Sequence, residues 1–321
     1  MAIRAHDAVA ERGGVVPVGS TDVRPRRRSL TLRREGQLAY VLLMPTLLVI
    51  LLLVAYPFGA AVWMSLQNKM VGAAGRFVGL ANYVDVFSDA VFRQAAVNTV
   101  VITASCVIFA MLLGILLAVL LDRKFVGQGV VRTLLITPFL VMPVAGALLW
   151  KTTMFDPVFG IVNFVLSPFG FEGVDWVSEF PLTSIVTALV WQWTPFMMLL
   201  VLAGLQSQSR DVLEAAQVDG ATGWRTFTSV TLPHLRRYIE LGVLLGAIYV
   251  VNTFDQIYMM TQGGPGTAST NLPFYIYQRA FLGFDIGQAA AMGVVVVVGT
   301  IIVATIALRL IFKSFMQEEP S

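Results

Sequence analysis

Six stretches of the chain are apolar for close to the length that a helix needs to cross a bilayer. A hydrocarbon core about 30 Å thick takes roughly 20 helical residues, because backbone polar groups left unpaired there are too costly. The stretches cover residues 38–66, 98–121, 133–150, 183–205, 238–260 and 287–308, and they predict six membrane-spanning helices. The first carries Pro45 and Pro57, read as kinks, and the third is the shortest and carries Pro138 and Pro143. Residues 158–166 are apolar but too few to cross, and with Phe169, Phe171 and Trp176 nearby they read as an interfacial segment.

Composition agrees with this pattern. Of 321 residues, 57% are hydrophobic and 13% charged, against about 25% charged in soluble domains. The mean hydropathy is +0.76. Cys106 is the only cysteine, so no internal disulfide can form, and it lies in an apolar run where it reads as a small buried hydrophobe. The net charge of +3 is better explained by membrane orientation than by nucleic-acid binding. With six spans, 17 of the 22 Lys and Arg fall on the side of the two ends and five on the other. The asymmetry places both termini in the cytoplasm. Residues 1–36, with the cluster Arg26, Arg27 and Arg28, read as a disordered basic cytoplasmic tail, 37–314 as the membrane domain, and 315–321 as a short cytoplasmic end.

The apolar runs hold almost no charge. Only Glu240 and Asp255 fall inside them, each near an end, so a chain of intramembrane carboxylates relaying protons is not expected. Nor does the sequence contain a phosphate-cradling G-x-x-x-x-G-K-[ST] loop, metal-ligand spacing, or a nucleophile elbow. The chain therefore reads as non-enzymatic, with no cofactor or metal of its own and no energy source. On these residues alone the alternatives are a subunit driven by a partner and a self-sufficient secondary carrier, which ought to show inverted repeats or coupling charges.

The internal cytoplasmic segment 207–237 is more strongly patterned than a linker requires. Asp211 and Glu214 have capping-box spacing, Val212 to Val218 predict a short helix, and Gly220 a sharp turn. A second short helix from Gly223 presents Trp224, Phe227 and Val230, and Pro233 is expected to end it before the fifth span. The string Glu214, Ala215, Ala216, Asp219, Gly220, followed by Leu232 and Pro233, resembles the EAA loop in membrane subunits of binding-protein-dependent ABC importers. The resemblance extends to AYPFGAAVWMSL, RTLLITPFLVMP, WQWTPFMMLLVLAGL and FDQIYMMTQGGPG in the first, third, fourth and fifth spans. Together these are similar to the carbohydrate branch, and to the first of the two permeases in maltose, glycerol-phosphate and polyol importers. The segment MTQGGPGTASTNLPFYIYQRAF is most like sugar-alcohol systems.

The resemblance implies an all-helical permease in the bacterial cytoplasmic (inner) membrane. It also implies a second homologous permease, two ATP-binding subunits that hold the ATP and Mg, and an extracytoplasmic solute-binding protein. Glu214, Ala215, Ala216, Asp219, Gly220 and Pro233 are the implied coupling residues, forming a rigid lever seated in the ATPase. A sugar presents hydroxyls and C–H faces, so its path should combine amides, hydroxyls and aromatic rings. Gln192, Trp193 and Phe196 offer that mixture in the fourth run, where Pro195 is expected to break the helix. Tyr249, Asn252, Thr253 and Gln256 offer it in the fifth, on one face if the helix is regular. By position both stretches resemble the sugar-contacting segments of the maltose permease, although that relative has asparagines where this chain has Val250 and Thr253. The glycine-rich residues 263–266 read as an outer loop.

Overall fold

The structure, a computed structural model, describes residues 43–170 and 173–316; the expected basic tail, Phe171 and the last residues of the expected C-terminal segment lie outside them. By its contacts the chain divides into two units, residues 1–57 and 58–321. What is described of the first is helical and apolar on every side, with Leu47, Leu51 and Leu53 all more than half exposed.

Helix α1, Leu43–Ser65, is the first candidate span. Within it the turn at Leu51–Ala55 widens to π-helical geometry, and the Tyr56 N–H reaches back five residues to the Leu51 carbonyl. Pro57 follows at once. A proline ring collides with the carbonyl four residues back in a regular helix, and a widened turn moves that carbonyl aside. Pro57 does not end the helix.

After α1 the second unit continues with a short antiparallel pair, β1 (Gln67–Asn68) on β2 (Arg76–Phe77), and helix α2 (Ala81–Ser88). Helix α3, Ala90–Asp122, is about 50 Å long at 1.5 Å per residue. Asp89 caps its start, accepting a hydrogen bond from the Val91 N–H at 2.8 Å. Then come α4 (Gln128–Leu140) and α5 (Pro143–Leu149), the latter running on through a π turn at Trp150–Met154. The third expected span is thus a pair of helices bent by 100° at Val141 and Met142. Short helices α6 (Ile161–Leu166) and α7 (Trp176–Glu179) lead to α8, Pro181–Gln206. The break expected at Pro195 is absent, and α8 passes through that residue unbroken.

Two short elements follow, α9 (Arg210–Val218) and α10 (Gly223–Thr226), and then α11 (Leu232–Val250). The fifth expected span ends as regular helix at Val250; after a non-helical stretch, a π turn at Ile257–Thr261 completes it. Helix α12 (Leu272–Tyr277) and a last π turn, Gln278–Leu282, precede α13, Ile286–Met316. Among the described residues four helices are long and apolar enough to cross a membrane, and five if the bent pair counts as one.

The core lies between α3, α8 and α11. Ile102 shares a cluster with Ile185 and Leu189, Gly114 lies against Met197, and Val119 lines a cleft with Leu205. Helices α3 and α8 therefore run side by side in one direction. Helix α11 runs the other way, with Leu235 near Gly204 at its start and Val250 beside Ile102 and Ile185 at its end. Helix α13 begins at the N-terminal end of α3, where Ala291 and Met292 pack with Phe92 and Ala95. Small residues allow these approaches, as in membrane bundles generally. A Cβ on Gly114 would sit 2.7 Å from the Met197 Cβ, and on Gly246 2.3 Å from the Met197 Cε.

Candidate functional site

Two sets of residues stand apart from simple packing, at different levels of the bundle. The first is the segment from Ser207 to Thr231, at the C-terminal end of α3. Helix α9 starts after Ser209, and no side chain caps it. The expected capping box is not formed, because Asp211 lies inside the first turn instead of before it, where its charge still favours the helix N-terminus. The helix ends as expected. Gly220 has φ +76°, its N–H meets the Gln217 carbonyl at 3.0 Å, and the Ala221 N–H meets the Ala216 carbonyl at 3.0 Å. This left-handed cap is nearly free of strain only for glycine.

Beyond the turn, the Thr222 hydroxyl accepts from the Arg225 N–H and starts α10. The expected stop at Pro233 does not occur. The chain stays helical from Gly223 through a π turn at Phe227–Thr231 into α11, where Pro233 occupies the first turn. The Leu232 N–H bonds the Phe227 carbonyl, repeating the arrangement ahead of Pro57. The second helix of the segment and the following long helix are in consequence one piece.

The outward face of the segment mixes apolar and charged side chains. Val218 is 87% and Trp224 75% exposed, and Glu214, Ala215, Asp219, Gly220 and Pro233 are exposed as well, with Ala216 half-buried. Behind it, Val119, Asp122, Arg123, Leu205, Gln217 and Phe227 line a cleft of about 400 Å³.

The second set lies where α8 passes the breaks in its neighbours. Gln192 is buried, its Nε2 donates to the Val141 carbonyl at 3.2 Å, and its Oε1 accepts from Gln256 Nε2 at 2.7 Å. One amide thus joins α8 to the 100° bend and to the helical turn that resumes after the break beyond α11. One residue on, the Trp193 ring stacks on Tyr249 at 5.5 Å between centroids and meets Phe196 edge-on at 5.8 Å. Phe139 of α4 completes the group, 5.8 Å from Trp193 and 5.6 Å from Phe196. Tyr249 keeps 58% of its surface exposed.

Of the residues singled out in the sequence, Gln192, Trp193, Phe196, Tyr249 and Gln256 are brought together. Asn252 and Thr253 are not. The regular helix has ended by then, so the four residues of the fifth run do not share one face. Asn252 turns outward and donates to its own Ile248 carbonyl at 2.8 Å, while Thr253 is buried and its carbonyl accepts from Asn271 Nδ2. Phe139 and Val141 were not singled out. Pro138 and Pro143 on either side of them were the available signal.

At the opposite end of α3, residues 263–272 are held from below. The Asn98 amide donates to the carbonyls of Thr267, Ala268 and Thr270 at 2.9–3.2 Å, and the Thr99 hydroxyl accepts from the Leu272 N–H at 2.9 Å. Nearby, Asp89 receives the Tyr275 hydroxyl and one Arg279 nitrogen at 2.8 Å. Burial pushes the Asp89 carboxyl up, but the bonds from Tyr275, Val91 and Arg279 outweigh it and hold the group below its ordinary value.

Residues 110–316 match the family described as binding-protein-dependent transport system inner membrane component, a stretch that includes α8 to α11 and both sets of residues. The chain belongs to this family. The permease is 36% identical over 278 residues to the sulfoquinovosyl glycerol transport system permease protein of Agrobacterium fabrum, covering 85% of this chain and 90% of that one. It is 35% identical over 264 residues to the trehalose/maltose transport system permease protein of Thermococcus litoralis, covering 81% and 89%. It shares its fold with a chain of the bacterial alginate ABC transporter, solved in complex with an alginate pentasaccharide-bound periplasmic protein. There the TM-score is 0.75 and the identity 24%, over 87% of the permease and 96% of that chain. The permease is therefore a multi-pass transport subunit of an ABC importer, and not an enzyme.

Proposed function

We propose that this permease carries a sugar, a sugar derivative or a sugar alcohol into the cytoplasm by alternating access, driven from the segment 207–231. The observation that carries the proposal is the unbroken helical path from α10 into α11. A push on an exposed α9–α10 pair that is continuous with a core helix moves that helix, whereas a flexible linker would dissipate the push. Glu214, Ala215, Ala216, Asp219 and Gly220 form the surface on which an ATP-binding subunit seats, with Pro233 at the start of the driven helix. ATP and Mg belong to two such subunits.

The solute passes the aromatic and amide group at Gln192, Trp193, Phe196, Tyr249 and Gln256. Trp193 and Tyr249 offer flat faces to C–H groups, and the two glutamines offer donors and acceptors to hydroxyls. The names of the relatives, which include trehalose/maltose and sulfoquinovosyl glycerol systems, support a carbohydrate class. The alginate transporter's periplasmic protein supports an extracytoplasmic binding protein as a partner here. A second homologous permease completes the proposed assembly.

Six crossings of the bacterial inner membrane, with both ends in the cytoplasm, fit the helix directions. Helices α3 and α8 run the same way, so the bent pair α4–α5 returns the chain between them, and α11 and α13 alternate after that. The basic residues Arg123, Lys124, Arg210, Arg225, Arg236 and Arg237 gather at the coupling end, which is the cytoplasmic one by the positive-inside rule. The test is Gly220→Asp in the assembled transporter. The variant is expected to reach the membrane and to lose uptake of the sugar or polyol that stabilises its binding protein against heat. Wild-type uptake by the variant refutes the assignment.

A further inference from the structure

The coupling segment leaves the bundle at the end of α8 and rejoins it at the start of α11, and three side chains tie those two points together. The Ser207 hydroxyl lies 2.8 Å from the Tyr238 hydroxyl and 3.1 Å from His234 Nε2. Ser207 Oγ also donates to the Gly204 carbonyl at 2.8 Å, and His234 Nε2 reaches the same carbonyl at 3.1 Å. A carbonyl can only accept, so the hydrogens sort themselves. Ser207 and His234 each give one to Gly204, and Tyr238 gives its own to Ser207.

Gly204 belongs to the last turn of α8, where carbonyls run short of partners within the helix. Its carbonyl accepts the Ser207 N–H at 3.2 Å and the Ser207 hydroxyl, and from the far end of the segment it is reached by His234. The Gly204 backbone also lies close against side chains of α11. A Cβ on Gly204 would lie 2.6 Å from the Tyr238 ring and 2.7 Å from Leu235 Cδ2, and Leu235 is fully buried. Arg237 closes the outer side, its guanidinium 5.1 Å from the centroid of the Tyr238 ring.

We infer that Ser207, His234 and Tyr238 form a clamp at the neck of the coupling segment and are positioning residues for energy transfer. The inference rests on the reading of 207–231 as the ATPase-driven lever. A lever transmits a push only if its two attachments to the bundle cannot slide apart. Helical continuity into α11 fixes one attachment. At the other, α8 gives way to the turn before α9, and there the clamp holds the end of α8 to the first turns of α11. With it intact, a displacement at Asp219 moves α8 and α11 together. Without it, the segment pivots about its neck and the motion is lost before reaching Gln192 and Trp193.

The experiment uses the full chain assembled with its partner subunits in membranes, with spin labels on Arg225→Cys and Val126→Cys, both exposed and outside the proposed ATPase seat. Distances are measured without nucleotide and after trapping with ATP and vanadate. The assembly with intact Ser207, His234 and Tyr238 should give one narrow distribution that shifts as a whole on trapping. Ser207→Ala and Tyr238→Phe keep the packing and remove a hydroxyl, and each should raise the fraction of splayed distances by about fivefold, the effect of one lost hydrogen bond. Ser207→Thr, which keeps the hydroxyl, should restore the narrow distribution.

Unchanged distributions in both hydroxyl-less variants, while the clamped assembly still responds to trapping, overturn the clamp and leave the lever standing. So does a Ser207→Thr variant as disordered as Ser207→Ala. No response to trapping in the clamped assembly overturns the lever, and the clamp with it.

Discussion

Gln256 donates its side-chain amide to Gln192 Oε1 at 2.7 Å, between two buried residues 64 positions apart. The bond joins an unbroken helix, α8, to the point where the fifth apolar run resumes helical geometry after its break. A buried amide that loses its partner retains the desolvation penalty, about 1–3 kcal/mol, whereas replacing both partners removes the demand. Gln256→Leu and Gln192→Leu should each lower the unfolding temperature of the detergent-solubilised permease. The double variant should lie closer to the wild type than the sum of the two. Additive losses in a thermal-unfolding cycle contradict a direct bond.

Trp193 touches rings from both neighbouring helices, Phe139 of α4 and Tyr249 of α11. If its faces carry the solute, Trp193→Leu should raise the KM for uptake about tenfold, the scale of one aromatic contact, while the ATP hydrolysis stimulated by the binding protein persists. Asn252→Ala should leave KM unchanged, because Asn252 bonds its own helix and faces outward. An Asn252→Ala defect larger than that of Trp193→Leu moves the path away from the aromatic group.

That contrast marks the boundary of what the sequence discloses. Apolar length is a strong signal, since hydrocarbon demands it, and α1, α3, α8 and α13 lie where the runs predict them. The turn at Gly220 was legible because a left-handed cap selects one residue type. The prolines were not. Their effect depends on whether the helix can widen by one residue just before the ring, as at Leu51–Ala55 and Phe227–Thr231, and the position of a proline in the sequence does not record that. Tyr249, Asn252, Thr253 and Gln256 would share a face only if a regular helix continued through the point where Asn271 instead takes the Thr253 carbonyl. The clamp at Ser207 is hidden from the sequence for a related reason. Its members are 27 and 31 positions apart, and no local spacing records them.

Gly114 sets how near α3 and α8 can come. A Cβ there would lie 2.7 Å from the Met197 Cβ and 2.9 Å from the Met198 backbone nitrogen, and backbone cannot swing away as a side chain tip can. The helices must separate to admit it. Gly114→Val is therefore expected to destabilise the fold by about 3 kcal/mol, the upper range for overpacking. Gly293→Val in α13 has open space where its Cβ would stand and should be close to neutral. Thermal unfolding of both variants in the same detergent makes the comparison, and equal losses refute the close-approach argument.

Asp89 has two roles: it caps α3, and it accepts from Tyr275 of α12 and from Arg279 in the turn after it. Burial alone would raise its carboxyl, yet the bonds from Tyr275, Val91 and Arg279 prevail and its folded-state value is lowered. A carboxyl that ionises more readily when folded binds fewer protons than in the unfolded chain, so stability rises with pH across its titration. The contribution is fully present above the ordinary carboxylate range and is lost as pH falls through the lowered folded value. Asp89→Asn removes the charge at every pH. Near neutrality the variant should unfold several degrees below the wild type, and below about pH 4 the gap should narrow as the wild-type carboxyl takes up its proton. Unfolding curves at about pH 7, 5 and 3.5 in one detergent, spanning the ordinary carboxylate range, read the difference. A gap that is constant, or that widens toward acid, contradicts a stabilising role for the Asp89 charge.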